Sequence, residues 1–289
     1  MTDGFKQTVS VVLVFFGVML ITNFSSVKYA GFASLQNETS ITSDSLDLMP
    51  GNNTRIVLVH GAVSDGSIWS KVIPILTDAG YRVIAAQLPL HSLENDVITV
   101  ERAVERIGGP AILVRHSYGG EVITNADYNN PNVTGLVYIA ALAPDAGETG
   151  NDLFEQLPEV VSQQLLETFS ENTELDSAGF LYFKPDKFHE LVVQDVDPTE
   201  AEILAAVQKP FNQSIGLEKS GPPAWKQLPS WYQISENDRL IPPDIQRSYA
   251  ERMNATTLSL NSSHASLISH PDEIADLIIN ATKVSDLTQ

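Results

Sequence analysis

Residues 111–120 read AILVRHSYGG. The opening run is apolar and rich in β-branched residues, as in a strand buried on both faces, and two glycines follow Ser117 where a tight turn leads into a helix. In a strand–Ser–helix turn of this kind the serine is held in a strained conformation that exposes its hydroxyl. Small residues two before and two after the serine normally let strand and helix approach. Gly119 fills the second position, but Arg115 occupies the first, where glycine is usual. Either the local packing differs there or the arginine side chain escapes to the edge.

Outward from this turn, short apolar runs alternate with helical patterns, the signature of a parallel sheet covered on both faces. The expected strands are Arg55 to His60, Tyr81 to Ala86, Ala111 to Arg115, Leu136 to Ala140, Ser230 to Ser235 and Thr256 to Leu260. Val97, Val100, Val104 and Ile107 keep three- and four-residue spacing, as do Ile274, Leu277 and Ile278 behind Pro271, which suits a first helical turn. The expectation is a mostly parallel six-stranded α/β sheet flanked by helices. The interval from Pro144 to Trp225 is too long for a loop. Its helical patterns (Leu153 to Phe169, Pro198 to Gln208) and aromatic cluster (Phe180, Tyr182, Phe183, Phe188) predict a helical cap, about 144–225, over the sheet's C-terminal edge.

The chain has 289 residues, 43% of them hydrophobic and 18% charged, which is enough to bury a sizeable core. A net charge of -19 repels phosphate backbones and anionic headgroups, so nucleic acid is excluded as a partner. With no cysteine, thiolate metal sites, disulfides and a cysteine nucleophile are also excluded.

Residues 1–33 differ from the rest. Val9 to Ile21 is an almost unbroken apolar run behind Lys6, shorter than the roughly 20 residues a spanning helix needs. It reads as a signal peptide with Gly31-Phe32-Ala33 at the cleavage site, or alternatively as an uncleaved anchor, the chain's one expected link to a membrane. Both readings place the folded domain, 55–289, outside the cytoplasm behind a polar linker over 34–54. The sequons at Asn37, Asn52, Asn132, Asn212, Asn254, Asn261 and Asn280 fit an exported glycoprotein.

Ser117 gains meaning from residues far downstream in the chain. A serine hydroxyl attacks an acyl carbon only when an imidazole takes its proton, and a carboxylate must hold that imidazole in the correct tautomer. Asp238, in ENDRLIPP, follows the fifth expected strand, and His264, in SSHASLI, follows the sixth, in the order Ser, acid, His. Glu236 is the rival acid and His270 the rival histidine. His270 directly precedes Pro271 at a helix start, which suits capping. His116 is expected to pack, facing away from the nucleophile, and His91 and His189 have no motif context. His60-Gly61-Ala62 after the first strand marks an oxyanion hole, with the amides of Ala62 and Tyr118 as its donors.

Four segments together, VLVHGAVSDGSIWSKVIPILTDAGYRVIAAQLP, RHSYGG, ENDRLIPPDIQRSYAERM and SSHASLISHPDEIADLI, resemble the small α/β-hydrolases related to plant methylesterases and hydroxynitrile lyases. The resemblance covers about Arg55 to Ala281 and implies the α/β-hydrolase fold, with Ser117, Asp238 and His264 on the family's triad and Ala62 and Tyr118 on its oxyanion donors. Hydroxynitrile lyases of this group place a lysine directly after the catalytic histidine and a threonine at the glycine of His-Gly. Ala265 and Gly61 stand there in this chain, so cyanide release is disfavoured. Dehalogenase and epoxide-hydrolase relatives use an aspartate nucleophile, against which Ser117 argues. The expected activity is cofactor-free hydrolysis of a small-molecule carboxylic ester. A lactone, amide or carbon–carbon bond cleaved by the same triad, or a low-turnover ligand-binding protein, are the alternatives.

Overall fold

Alternate residues of the central strands feed two separate cores. Val57, Val59 and Leu113 face one, and Ile56, Leu58, Ile112 and Val114 face the other, all of them fully buried. The structure is a computed structural model that describes residues 54–126, 129–152 and 157–287. The apolar run over Val9 to Ile21, the linker to residue 53 and the sequons at Asn37 and Asn52 lie outside the described residues.

The first half comprises β1 (Arg55–Val59), α1 (Val72–Asp78), β2 (Val83–Ala86), α2 (Leu93–Ile107), β3 (Ala111–His116), α3 (Gly119–Ala126) and β4 (Val133–Ile139). An inserted segment follows, with α4 (Glu159–Asn172), β5 (Thr173–Leu175), β6 (Phe180–Phe183), α5 (Pro185–Val192), α6 (Pro198–Ala206) and β7 (Phe211–Asn212). The chain then returns to the sheet through β8 (Ser230–Ser235), α7 (Pro243–Arg252), β9 (Thr256–Leu260), α8 (Ser266–Ser269) and α9 (Pro271–Leu287).

The main sheet has six strands in the order β2-β1-β3-β4-β8-β9, every neighbouring pair parallel. α2, α3 and α7 cover one face; α1, α8 and α9 cover the other. Local sequence explains the helix limits. The Ser92 hydroxyl accepts the Asn95 amide to start α2, and Gly108, at φ 65°, ends it in a conformation that costs glycine little.

β9 differs from its neighbours. Thr256, Thr257 and Ser259 are exposed because β9 is an edge strand, so the expectation of a run buried on both faces fails there. Strand ends also shift, β4 beginning three residues before the expected Leu136 and β2 beginning after Tyr81.

The insertion contains helices at both expected places, although α4 begins at Glu159 rather than Leu153 and residues 153–156 lie outside the described residues, and it also holds a three-stranded antiparallel sheet, β5-β6-β7. Of the aromatic cluster, Phe180, Tyr182 and Phe183 lie on its central strand and Phe188 lies on α5. Strands of two to four residues are too short to show a period of two, which is why sequence periodicity misses them.

The strand order places the reversal of winding beside β1. The chain passes from β1 to β2 on one side and then crosses to β3 on the other, so the C-terminal ends of β1 and β3 diverge into a crevice, the usual ligand position in open α/β sheets.

Candidate active site

Ser117 stands at the end of β3, on that crevice. Its φ of 55° is left-handed, a strain of about 1–3 kcal/mol for a residue with a side chain. Three backbone hydrogen bonds hold it there. Its amide donates to Ile139 O at 3.2 Å, and its carbonyl accepts the amides of Gly120 at 3.0 Å and Leu142 at 3.1 Å.

The neighbouring glycines are dictated by close approach. A Cβ on Gly61 would lie 2.7 Å from the Ser117 Cβ, and one on Gly120 would lie 1.9 Å from Leu142 O. Gly61 thus lets the loop after β1 pass against the serine.

The turn departs from the usual pattern at Arg115. Of the two options open from sequence, edge escape is overturned: the side chain is fully buried. Arg115, Tyr138 and Tyr232 occupy paired register positions across β3, β4 and β8. The guanidinium carbon lies 3.0 Å from the Tyr138 ring centroid, and the Tyr138 and Tyr232 rings stack at 5.8 Å with an interplanar angle of 9°. Packing beneath the turn is therefore a cation–aromatic stack within the core.

His264 follows β9, and its Nδ1 lies 2.7 Å from Asp238 Oδ2. Asp238 Oδ1 accepts the amides of Leu240 and Ile241 at 2.8 and 2.9 Å, and Oδ2 also accepts Gln246 Nε2 at 2.8 Å. The carboxylate is thus fixed on both oxygens, and its contact with Nδ1 orients the His264 ring. Glu236, the rival acid, faces outward and pairs with Arg247.

His270 is bonded through Nδ1 to the Ser269 hydroxyl at 2.9 Å, and its carbonyl accepts the Ile274 amide at the start of α9. His189 is bonded to Val196 O, and the His91 ring meets Phe180 edge-on.

His116 corrects the expectation that it faces away. It lines the same cavity as Ser117, its Nε2 bonds to His264 O at 2.9 Å, and its ring centroid is 4.6 Å from that of His264. Burial holds its pKa well below the usual histidine value, with the neighbouring His264 acting in the same direction, so it packs against His264 as a neutral ring.

The predicted oxyanion donors also border the cavity, since Ala62 and Tyr118 both line it. Among the described residues their amides donate to no protein acceptor. Each loop is braced from behind. His60 Nε2 accepts the Leu88 amide at 2.9 Å, which leaves Nδ1 to donate to Gly61 O at 2.8 Å, and burial lowers its pKa to about 4, keeping it neutral. The Tyr118 hydroxyl donates to Asp96 Oδ2 at 2.8 Å, and Asp96 Oδ1 accepts the Leu90 amide at 2.8 Å.

The cavity has a volume of about 410 Å³. Ser117 and His264 line it, and Phe169, Leu181, Phe183 and Phe188 of the insertion contribute to its apolar wall. Asp195, also from the insertion, accepts the Ser263 amide at 2.8 Å, tying the His264 loop to the cap. Asp96, Gln246, Asp195 and Glu121, a cavity residue on the first turn of α3, carry no sequence motif. Their significance depends on partners brought near by folding.

Comparison with known proteins agrees with this architecture. A pyrethroid hydrolase from Sphingobium wenxiniae is 26% identical over 245 residues, covering 78% of this chain and 86% of that protein. Methylesterase 1 of Arabidopsis thaliana is 23% identical over 254 residues, covering 80% of this chain and 95% of its own. The crystal structure of a pyrethroid hydrolase from Sphingobium faniae superposes with a TM-score of 0.68 at 23% identity, covering 80% of this chain and 97% of that one, and so shares the fold. The family model described as "Alpha/beta hydrolase family" matches residues 56–277, nearly the whole described domain, and the chain therefore belongs to the alpha/beta hydrolase family.

Proposed function

We propose that the chain hydrolyses carboxylic esters through an acyl-enzyme on Ser117. The observation that carries this reading is the 2.7 Å His264–Asp238 contact bordering the cavity that also holds Ser117 on its strained turn. Ser117 Oγ attacks the ester carbon while His264 Nε2 takes the hydroxyl proton. Negative charge on the carbonyl oxygen is met by the amides of Ala62 and Tyr118. His264 then passes the proton to the departing alkoxide, leaving the acyl group on Ser117. A water, deprotonated by His264, attacks that acyl carbon and releases the carboxylic acid, and the proton returns to Ser117. Asp238 keeps Nδ1 protonated throughout and stabilises the imidazolium.

Relatives named as a pyrethroid hydrolase and a methylesterase support ester hydrolysis, and the apolar wall supports an ester with a hydrophobic body. Rates on a p-nitrophenyl ester series should collapse in Ser117→Ala. Equal rates in the two proteins would refute the proposal.

The same reading includes export, supported by the apolar run from Val9 to Ile21 and by the sequons. Asn132, Asn254, Asn261 and Asn280 are exposed, whereas Asn212 is half-buried and its amide is engaged with His91 O. N-terminal sequencing and glycosidase treatment of the protein from its native host test this point. An intact N-terminus on an unglycosylated cytoplasmic protein would overturn it.

A further inference from the structure

The geometry points to Glu121 as the residue that recognises an uncharged oxygen acceptor, a ketone or ether oxygen, on the body of the substrate ester. This inference rests on the esterase reading above. Glu121 lies four residues after Ser117, in the first turn of α3, and lines the same cavity. It is only 1% exposed, yet its Oε1 is buried with no hydrogen-bond partner, while the backbone amide of Gly150 faces the carboxyl. A buried polar atom left without a partner is costly, and in a substrate cavity the missing partner is most simply supplied by the ligand.

The surroundings specify what that partner is. Gly150, Asn151, Gln213 and Gly216 line the cavity with Glu121, which gives this part of the lining a polar character that the aromatic wall of the insertion lacks. Among titratable groups the Glu218 carboxyl acts on Glu121, and Glu121 in turn faces the hydroxyls of Tyr118 and Tyr249, which burial and then its charge push up; among the described residues no cation acts on it. Burial raises its pKa to about 8, and the nearby Glu218 adds to the rise. Near neutral pH the group is therefore a carboxylic acid with a proton to donate. It suits a neutral acceptor and repels a carboxylate.

Two pairs of esters with matched skeletons test this. p-Nitrophenyl levulinate against p-nitrophenyl 4-methylpentanoate places a ketone on the acyl side, and acetonyl butyrate against isobutyl butyrate places one on the alcohol side. Intrinsic reactivity is common to all proteins compared, so the readout is the change in the kcat/KM ratio of a pair between wild type, Glu121→Gln and Glu121→Leu. In one pair the wild-type ratio at pH 6.5 should exceed that of Glu121→Leu by about tenfold. Glu121→Gln, which keeps a donor, should retain the preference. The wild-type ratio should fall as pH rises through about 8, and the Gln variant's ratio should stay flat. Identical ratios in the three proteins for both pairs would overturn the inference. Should Glu121→Leu fail to fold, the pH response of wild type against Glu121→Gln decides alone. Fluorophosphonate labelling of Ser117 separates the two levels: labelled wild type with unchanged ratios sinks this inference only, and unlabelled, inactive wild type sinks the esterase reading with it.

Discussion

Nδ1 of His264 lies 2.7 Å from Oδ2 of Asp238, and Asp238 in turn is held by the amides of Leu240 and Ile241 and by Gln246 Nε2. An aspartate so fully bonded can turn neither away from the imidazole nor toward solvent. Asp238→Asn should preserve the fold but offer His264 an amide, favouring the wrong tautomer. The expected loss in kcat is on the order of 10⁴-fold. Glu236→Gln, which loses only the exposed pair with Arg247, should change kcat by less than about twofold. Steady-state kinetics on one p-nitrophenyl ester check both, and a reversed ranking would move the acid to Glu236.

Gly61 yields a second prediction, because a Cβ there would lie 2.7 Å from the Ser117 Cβ. Neither side can retreat easily, since three backbone bonds hold Ser117 and His60 braces the loop. Gly61→Ala should force the loop and the serine apart, with a loss in kcat on the order of 10²-fold, as expected for misplacement approaching 1 Å. Kinetics, with a thermal melt to confirm that the protein is folded, provide the check.

What could be read from the chain and what could not divide along physical lines. All six strands of the main sheet are legible in the sequence, five of them as near-continuous apolar runs, and the candidate residues Ser117, Asp238 and His264 are legible because each comes just past a strand end in the order Ser, acid, His. The cap sheet gave no signal, its strands being two to four residues long. Asp96 and Glu121 looked like ordinary polar residues in helices. Only tertiary contact brings Asp96 to Tyr118, 22 residues away, and closes Gly150 over Glu121. Arg115 is anomalous in the sequence itself, but the partners that accommodate it, Tyr138 and Tyr232, come from two other strands.

Tyr118, a proposed oxyanion donor, is tied through its hydroxyl to Asp96, which is itself fully buried. Tyr118→Phe removes the donor to Oδ2 and leaves that oxygen in a buried site. Stability should fall by about 1–3 kcal/mol. Asp96→Asn in the same background should recover part of the loss, because a neutral amide is cheaper to leave underbonded than a carboxylate. Urea denaturation of the single and double variants measures the coupling.

The Arg115 stack makes a prediction about stability rather than chemistry. Its guanidinium carbon lies 3.0 Å from the Tyr138 centroid in a site closed to water. Arg115→Ala removes both the cation–aromatic attraction, about 2 kcal/mol when desolvated, and the volume the side chain fills. A total loss of about 3–5 kcal/mol is expected, with a fall in melting temperature on the order of 10 °C. Melting within about 2 °C of wild type, the effect of a surface change, would show that the stack contributes little.

Glu121 sets a pH dependence whose sign is fixed by its protonation. In the folded chain its pKa is raised from the ordinary 4.5 to about 8, chiefly by burial. Between those values the folded state holds a proton that the unfolded state has released, so rising pH favours unfolding across that window. Below it both states are protonated and above it both are ionised, and the slope vanishes at either end. Glu121→Gln titrates in neither state. Its stability relative to wild type should therefore increase from about pH 4.5, gain most through pH 5–8, and level off above pH 8, reaching on the order of 4–5 kcal/mol. Denaturation midpoints of both proteins at pH 5, 6.5, 8 and 9 measure this difference directly. A difference that is constant across the series would mean that Glu121 is ionised in the folded protein, and would place an anion rather than a hydrogen-bond donor beside the cavity.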